Sequence, residues 1–339
     1  SKVVKFEEMV RETTGARHVL AVNSGTSALI AALVAAEIGP GDEVIIPAYT
    51  FFATASAVVV ARAIPVITDI DETLTLDPAA IERNITKRTK AILTVHMLSL
   101  PSKMAEIMKI AKKYNLKVIE DTAQAFGGKY RGKYLGTIGD LGCVSLDAYK
   151  VIGTGEGGIL MANNEWLYTR AQSYHDTAAC WRPDRFARER KKGELFCGEN
   201  YRMAELCAAV GIAQMKKLDW INERTRAVWT QLRKEIKLPS CAKFVKCNDE
   251  KGVCGYNLGI LFDTTEQAVK AINAKIGLGG LAAGDTRGVR DWHVYWNWEH
   301  ILEQKTATKE GCPFTCSHVS KLPAYSPDMC MQTKNIMRR

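Results

Sequence analysis

Short apolar runs recur along the chain at 18–22, 43–46, 65–69, 91–96, 116–119, 141–146 and 159–162, and longer segments with helical spacing separate most of them. This alternation constrains the fold more than any other feature. The spacing predicts helices over 1–15, 24–38, 54–62, 77–84, 102–114 and 204–217. Short strands alternating with helices point to the α/β class, a mainly parallel sheet with helices on both faces. Such sheets take ligands at the carboxyl ends of their strands. Ser24, Phe51, His96, Asp121 and Ser145 all fall there, so five loops are expected to converge on one site.

The stretch 140–158 stands out within that pattern. Its apolar run delivers Ser145 and then Lys150 into a segment holding Gly153, Gly155, Gly157 and Gly158, where backbone must pass close to something bulky. Earlier, a strand runs into Asn23-Ser24-Gly25-Thr26-Ser27 at a helix start. Backbone N–H groups and hydroxyls beside the positive end of a helix dipole suit a phosphate, although an ordinary N-cap has the same residues. Phe51 suits either stacking on a planar ring or core packing. A lysine, a strand-end carboxylate, a hydroxyl-rich helix start and an aromatic plate are together what pyridoxal 5'-phosphate requires. Its aldehyde joins a lysine (Lys150), its ring nitrogen wants a carboxylate (Asp121), and its phosphate wants donors (Ser24 to Thr26, with Ser145).

Composition narrows the alternatives. The 339 residues are long enough for about two domains. Lys and Arg exceed Asp and Glu by 46 to 37, but the basic clusters at 87–90, 109–113 and 182–192 interleave no aromatics, which argues against nucleic acid. No apolar run approaches the roughly 20 residues of a membrane helix. The ten cysteines are scattered without a Cys-x-x-Cys pair, reading as reduced thiols in the cytoplasm. Cys312, Cys316 and His318 lack a second ligand pair, so no metal site is expected.

Later segments say less about chemistry. The basic run from Trp181 to Gly198 reads as a solvated loop rather than a lid. The texture changes at Leu238, giving an expected large domain over 1–237 and a smaller α+β domain over 238–339. Strands are expected at 242–245 and 256–262 and a helix at 265–275. The cluster Trp292-His293-Val294-Tyr295-Trp296-Asn297-Trp298 fits a ligand surface or packing equally.

Several ordered motifs resemble the DegT/DnrJ/EryC1/StrS sugar aminotransferases, a branch of the fold type I pyridoxal-phosphate enzymes. They are Asn-Ser-Gly-Thr-Ser-Ala-Leu (23–29), Gly-Asp-Glu-Val-Ile-Ile-Pro-Ala-Tyr-Thr-Phe (41–51), Glu-Asp-Thr-Ala-Gln-Ala (120–125), Gly-Thr-Ile-Gly-Asp-Leu-Gly-Cys-Val-Ser (136–145), Lys150, Gly-Glu-Gly-Gly (155–158) and Asn-Tyr-Arg-Met (200–203). The resemblance implies a mainly parallel seven-stranded sheet and a smaller C-terminal domain. It makes Lys150 the Schiff-base lysine and proton carrier, pairs Asp121 with the ring nitrogen, puts Gln124 by the ring and stacks Phe51 on its face. Gly25, Thr26 and Ser145 then hold the phosphate, and Asn200 reaches the phosphate of a neighbouring subunit in a homodimer with shared sites. The implied reaction passes an amino group from glutamate or glutamine to a keto-sugar, and a lysine rather than a histidine at 150 favours transfer over dehydration. Dehydration, cyclodeamination and a non-catalytic regulatory role are the alternatives.

His96-Met97, Lys103-Met104 and the 292–300 segment look nearest to the branch that makes 8-amino-3,8-dideoxy-manno-octulosonate from the 8-oxo sugar acid. That nominates His96, Trp292 and His293 for the substrate. The opening on Ser-Lys, and the family segments expected before Phe6 and after Arg339, read as a trimmed chain.

Overall fold

The computed structural model describes residues 1–180, 182, 184–274, 276–277, 279–280, 290–315, 317–319 and 321–339. Trp181 at the start of the basic run, the expected helix end at Lys275, and Cys316 fall outside them.

In chain order the elements are α1 (Lys2–Thr14), β1 (His18–Val22), α2 (Gly25–Ala35), β2 (Glu43–Pro47), α3 (Phe52–Val60), β3 (Ile64–Thr68), α4 (Pro78–Asn84), β4 (Thr89–Val95), α5 (Met104–Tyr114) and β5 (Lys117–Asp121). A small hairpin, β6 (Lys129–Tyr130) and β7 (Lys133–Tyr134), precedes β8 (Leu141–Ser145), β9 (Gly158–Ala162) and α6 (Glu165–His175). The rest comprises α7 (Glu205–Met215), α8 (Leu218–Glu235), β10 (Ala242–Phe244), β11 (Ile260–Phe262), α9 (Thr265–Asn273), α10 (Glu299–Leu302) and α11 (Met331–Met337).

Seven strands form one sheet in the order β1-β9-β8-β5-β4-β2-β3. Every pairing from β8 to β3 is parallel, and β9 alone runs against its neighbours β1 and β8. Helices cover both faces, so β2 and β9 are buried at every residue. Pro65, which has no N–H to donate, lies on the edge strand β3. α2 is apolar on all sides and correspondingly buried along most of its length.

Local chemistry sets the boundaries. Ser1 caps α1 and Gly15 ends it in the left-handed region at φ 72°. Asp77 caps α4, with Pro78 in its first turn.

The structure departs from expectation in several places, among them the β6–β7 hairpin and the late helices α10 and α11. An 18-residue helix, α8, follows α7, where no separate element is expected after 217. The strand expected over 256–262 shrinks to Ile260–Phe262, the three residues that pair with β10, and the Tyr256 hydroxyl donates to the Gln124 carbonyl.

Beyond residue 238 the chain packs onto the sheet's own apolar core. Val245, Leu261, Tyr295, Trp298 and Ile336 share one cluster with Leu20, Ile46, Leu93 and Ile119. Of the aromatic segment, Tyr295 and Trp298 are fully buried, with the Trp298 Nε1–H donating to the Trp292 carbonyl at 2.8 Å. Packing therefore accounts for much of that segment. Among the described residues, no helix is long and apolar enough to cross a membrane.

Candidate active site

The carboxyl edge of the sheet opens into a cavity of about 500 Å³. One wall is the start of α2. Ser24 is an extended N-cap whose Oγ accepts from the Ser27 N–H at 3.0 Å and contacts Ser27 Oγ at 2.8 Å. That occupies its hydroxyl, while the N–H groups of Gly25 and Thr26 make no hydrogen bond among the described residues. A Cβ on Gly25 would stand 2.6 Å from Ser145 Cβ, and one on Gly158 would stand 2.3 Å from the Ser24 carbonyl oxygen. Two glycines thus let the first turn of α2 rest directly on β8 and β9. The result is an anion cradle of free N–H groups, the helix dipole and the Ser145 hydroxyl.

Asp121 closes β5 at the cavity floor, only 6% exposed. Its Oδ1 accepts from the Ala123 N–H at 3.0 Å and its Oδ2 from Thr54 Oγ1 at 3.0 Å. Burial raises this carboxyl above its ordinary value of 3.8, against the lowering effects of those two bonds and of Lys150 and His96. A buried carboxylate held this way is poised for a cationic partner.

Phe51, at the entry to α3, is 49% exposed and turns its ring to the cavity. Lys150 sits in a turn closed by its own N–H on the Asp147 carbonyl at 3.0 Å and lines the same space. Gln124 also lines it, with Oε1 fixed by the Leu98 N–H at 3.0 Å. A second hollow of about 300 Å³ adjoins, sharing Gln124, Tyr149, Lys150 and His293 and adding Tyr49, Tyr256 and Asn257.

Ser24, Gly25, Thr26, Phe51, Asp121, Gln124, Ser145 and Lys150 therefore gather around one cavity, and His293 joins them. The other three expected residues lie elsewhere. His96 is fully buried: its Nε2 bonds Glu120 at 3.0 Å and its Nδ1 accepts from the Ser102 N–H at 3.0 Å, so no ring nitrogen is left for a substrate. Trp292 packs edge-on against Phe52 at 5.0 Å rather than facing the cavity. Asn200 is exposed and bridges to Asp176, away from the cavity of its own chain.

The basic run is tied down by Arg182 to Glu7 at 2.7 Å and by Arg185 to Asp176 at 2.5 Å. Sequence reasoning missed Thr54, whose place one helical turn after Thr50 was its only signal. It also missed Tyr149, 94% exposed at the mouth, although the residue adjoins Lys150.

The sheet, the cradle, the buried carboxylate and the lysine define the fold type I class of pyridoxal-phosphate-dependent transferases. The sequence profile of the DegT/DnrJ/EryC1/StrS aminotransferase family matches residues 1–276, and the chain belongs to that family. It is 39% identical over 235 residues to GDP-perosamine synthase of Escherichia coli O157:H7, covering 69% of this chain and 63% of that protein. The chain thus spans about 63% of the length of that relative. Among solved structures, an aminotransferase from Psychrobacter cryohalolentis superposes with a TM-score of 0.72 at 29% identity, covering 86% of this chain and 81% of the other. NtdA from Bacillus subtilis, solved with bound PMP cofactor, superposes with a TM-score of 0.70 at 26% identity, covering 100% of this chain and 75% of the other.

The residues present fit the family's cofactor. The cradle suits its phosphate, the Asp121 carboxylate its ring nitrogen, the Phe51 face its ring, and Lys150 its aldehyde.

Proposed function

We propose that the chain is a pyridoxal-phosphate-dependent aminotransferase that moves an amino group from glutamate or glutamine to a keto-sugar. The carrying observation is that Lys150 lines the same cavity as the buried Asp121 carboxylate and the Gly25–Ser145 cradle. When bound, pyridoxal 5'-phosphate supplies a carbonyl that condenses with amines and a cationic ring that accepts the electron pair of a breaking Cα–H bond.

The protein's own groups do the rest. Gly25, Thr26 and Ser145 donate to the phosphate and fix the position of the ring. Asp121, oriented by Ala123 and Thr54, keeps a proton on the ring nitrogen. Phe51 covers one ring face and excludes water from it. The Lys150 amine would take up and return the proton that leaves the substrate Cα.

Asn200, exposed and outside its own chain's cavity, supports a homodimer in which it serves the neighbouring site. On the substrate side, the similarity to GDP-perosamine synthase supports a nucleotide-linked keto-sugar. The 8-oxo octulosonate reading rests on His96-Met97, Lys103-Met104 and the 292–300 segment, and of the residues it nominates His293 reaches the cavity.

Purified protein should show a Schiff-base absorbance band and a borohydride-trapped adduct at Lys150, both lost in Lys150→Ala. A panel of nucleotide-linked keto-hexoses and 8-oxo octulosonate, assayed with isotope-labelled glutamate and glutamine, should place label in one sugar class. Absence of the adduct refutes the reading. Sugar turnover without transferred label moves the assignment to dehydration.

A further inference from the structure

An amino donor carries an α-carboxylate into a site whose own acidic groups, Asp121, Asp147 and Glu156, share its sign. Lys150 is committed to the amine chemistry. Among the described residues that one chain contributes to the two hollows, His293 is the sole imidazole and no arginine is found.

His293 is unusually well fixed. Its Nδ1 lies 2.8 Å from Asp291 Oδ1, and its backbone N–H donates to that same oxygen at 2.8 Å. Burial pushes the Asp291 carboxyl up, but the hydrogen bonds and charge of His293 outweigh this and hold it below its ordinary value. An ionised carboxylate only accepts, so Nδ1 carries a proton and Nε2 is the ring nitrogen left for a ligand.

The backbone around the pair is bolted to the strand end that presents Phe51. The His293 carbonyl accepts from the Thr50 N–H at 2.8 Å and the Tyr295 N–H donates to Ala48 at 3.1 Å, while Asn297 Nδ2 holds the Asp291 carbonyl at 2.9 Å. The imidazole stands 5.3 Å from the Phe51 ring at 52°. It therefore sits beside the plate that would carry the cofactor, at the junction of the two hollows.

We propose that His293, as an imidazolium whose Nδ1–H is held by Asp291, receives the α-carboxylate of the amino donor through Nε2–H, and that Asp291 is the positioning residue that sets its aim. This rests on the aminotransferase reading above and assigns a donor-binding group within it.

The test uses cofactor-loaded protein and single turnovers, following loss of the cofactor band as L-glutamate or L-glutamine is varied. His293→Ala should weaken donor binding roughly 10- to 100-fold, the worth of one charge-assisted hydrogen bond, with the limiting rate and cofactor affinity near wild type. An analogue whose α-carboxylate is replaced by a hydroxymethyl group should bind wild type and His293→Ala alike. Asp291→Asn should weaken glutamate binding less, and should add nothing on the His293→Ala background.

Unchanged donor binding in His293→Ala overturns the proposal, as does an equal loss for the hydroxymethyl analogue. A wild-type protein that forms the Lys150 adduct but binds glutamate no better than the analogue overturns it while sparing the aminotransferase reading. A wild type with no adduct refutes both.

Discussion

Gly158→Ala tests the cradle most directly, because the added methyl has nowhere to go. Its Cβ would stand 2.3 Å from the Ser24 carbonyl oxygen, 2.5 Å from the Ser24 carbonyl carbon and 2.9 Å from the Gly25 nitrogen, all backbone atoms. Reaching the 3.0 Å that real Cβ atoms respect requires the Ser24–Gly25 turn to retreat from β9 by about 0.7 Å. A phosphate hydrogen bond of about 2.9 Å lengthened by that amount passes beyond useful range. One lost charge-assisted bond is about 1.5–3 kcal/mol, or roughly 10- to 150-fold in cofactor affinity. The overpacking itself should cost about 1–3 kcal/mol of folding stability.

Equilibrium dialysis of pyridoxal 5'-phosphate on a Lys150→Ala background removes the covalent contribution and reads the cradle alone. Gly155→Ala is the contrast: at φ 86° with nothing within 4 Å of a Cβ, it should cost about 1–2 kcal/mol through the backbone and leave cofactor affinity intact. Equal cofactor affinity in the parent and Gly158→Ala would refute the cradle argument.

Other outcomes follow from the buried titratable groups. Asp121 titrates above its ordinary value of 3.8 in the folded chain. Stability of the cofactor-free protein should thus fall as pH rises from 3.8 through that raised value, and cofactor-induced thermal stabilisation should grow over the same interval. Thr54→Val removes one of the bonds that lower it, so this interval should widen upward in thermal-shift titrations. His175, buried, has its pKa lowered from 6.5 to about 4, chiefly by burial. The unfolded chain alone is protonated between those values, so stability should drop by about 3 kcal/mol as pH falls from 6.5 toward 4. Urea titrations should show that drop flattened in His175→Gln. Glu120 accepts from the N–H groups of Gly136, Ile138 and Gly139 at 2.9, 2.7 and 2.7 Å and bonds His96 at 3.0 Å. Glu120→Ala strands these buried partners and should cost at least about 4 kcal/mol, measured by denaturant unfolding.

The adjacent pair Glu120-Asp121 shows why some of the site could be read from the chain and some could not. Alternation along β5 sends consecutive side chains to opposite faces, so only one of the two carboxylates can meet the cavity. The motif named Asp121, and its neighbour instead became the buried anchor of the 136–139 turn. His96 fails for the same reason: its place after β4 is right, but its ring points to Glu120, not to the ligand edge.

Strand order and the reversal of β9 were invisible too. Apolar runs state which segments become strands and leave the neighbours to long-range packing. Sequence reasoning missed α8 although Leu218, Ile221, Trp229 and Leu232 recur on one side of it among many charges, with a helical spacing as clear as that of α1.

The aromatic segment divides along similar lines. Tyr295 and Trp298 serve the core, and backbone pairing at Tyr49 and Val294 leaves His293 over the cavity. Residue type could not separate these roles, because the division is made by which side of one short β-bridge each side chain leaves. A late segment therefore enters the cavity where it crosses the end of β2, far in sequence from Lys150.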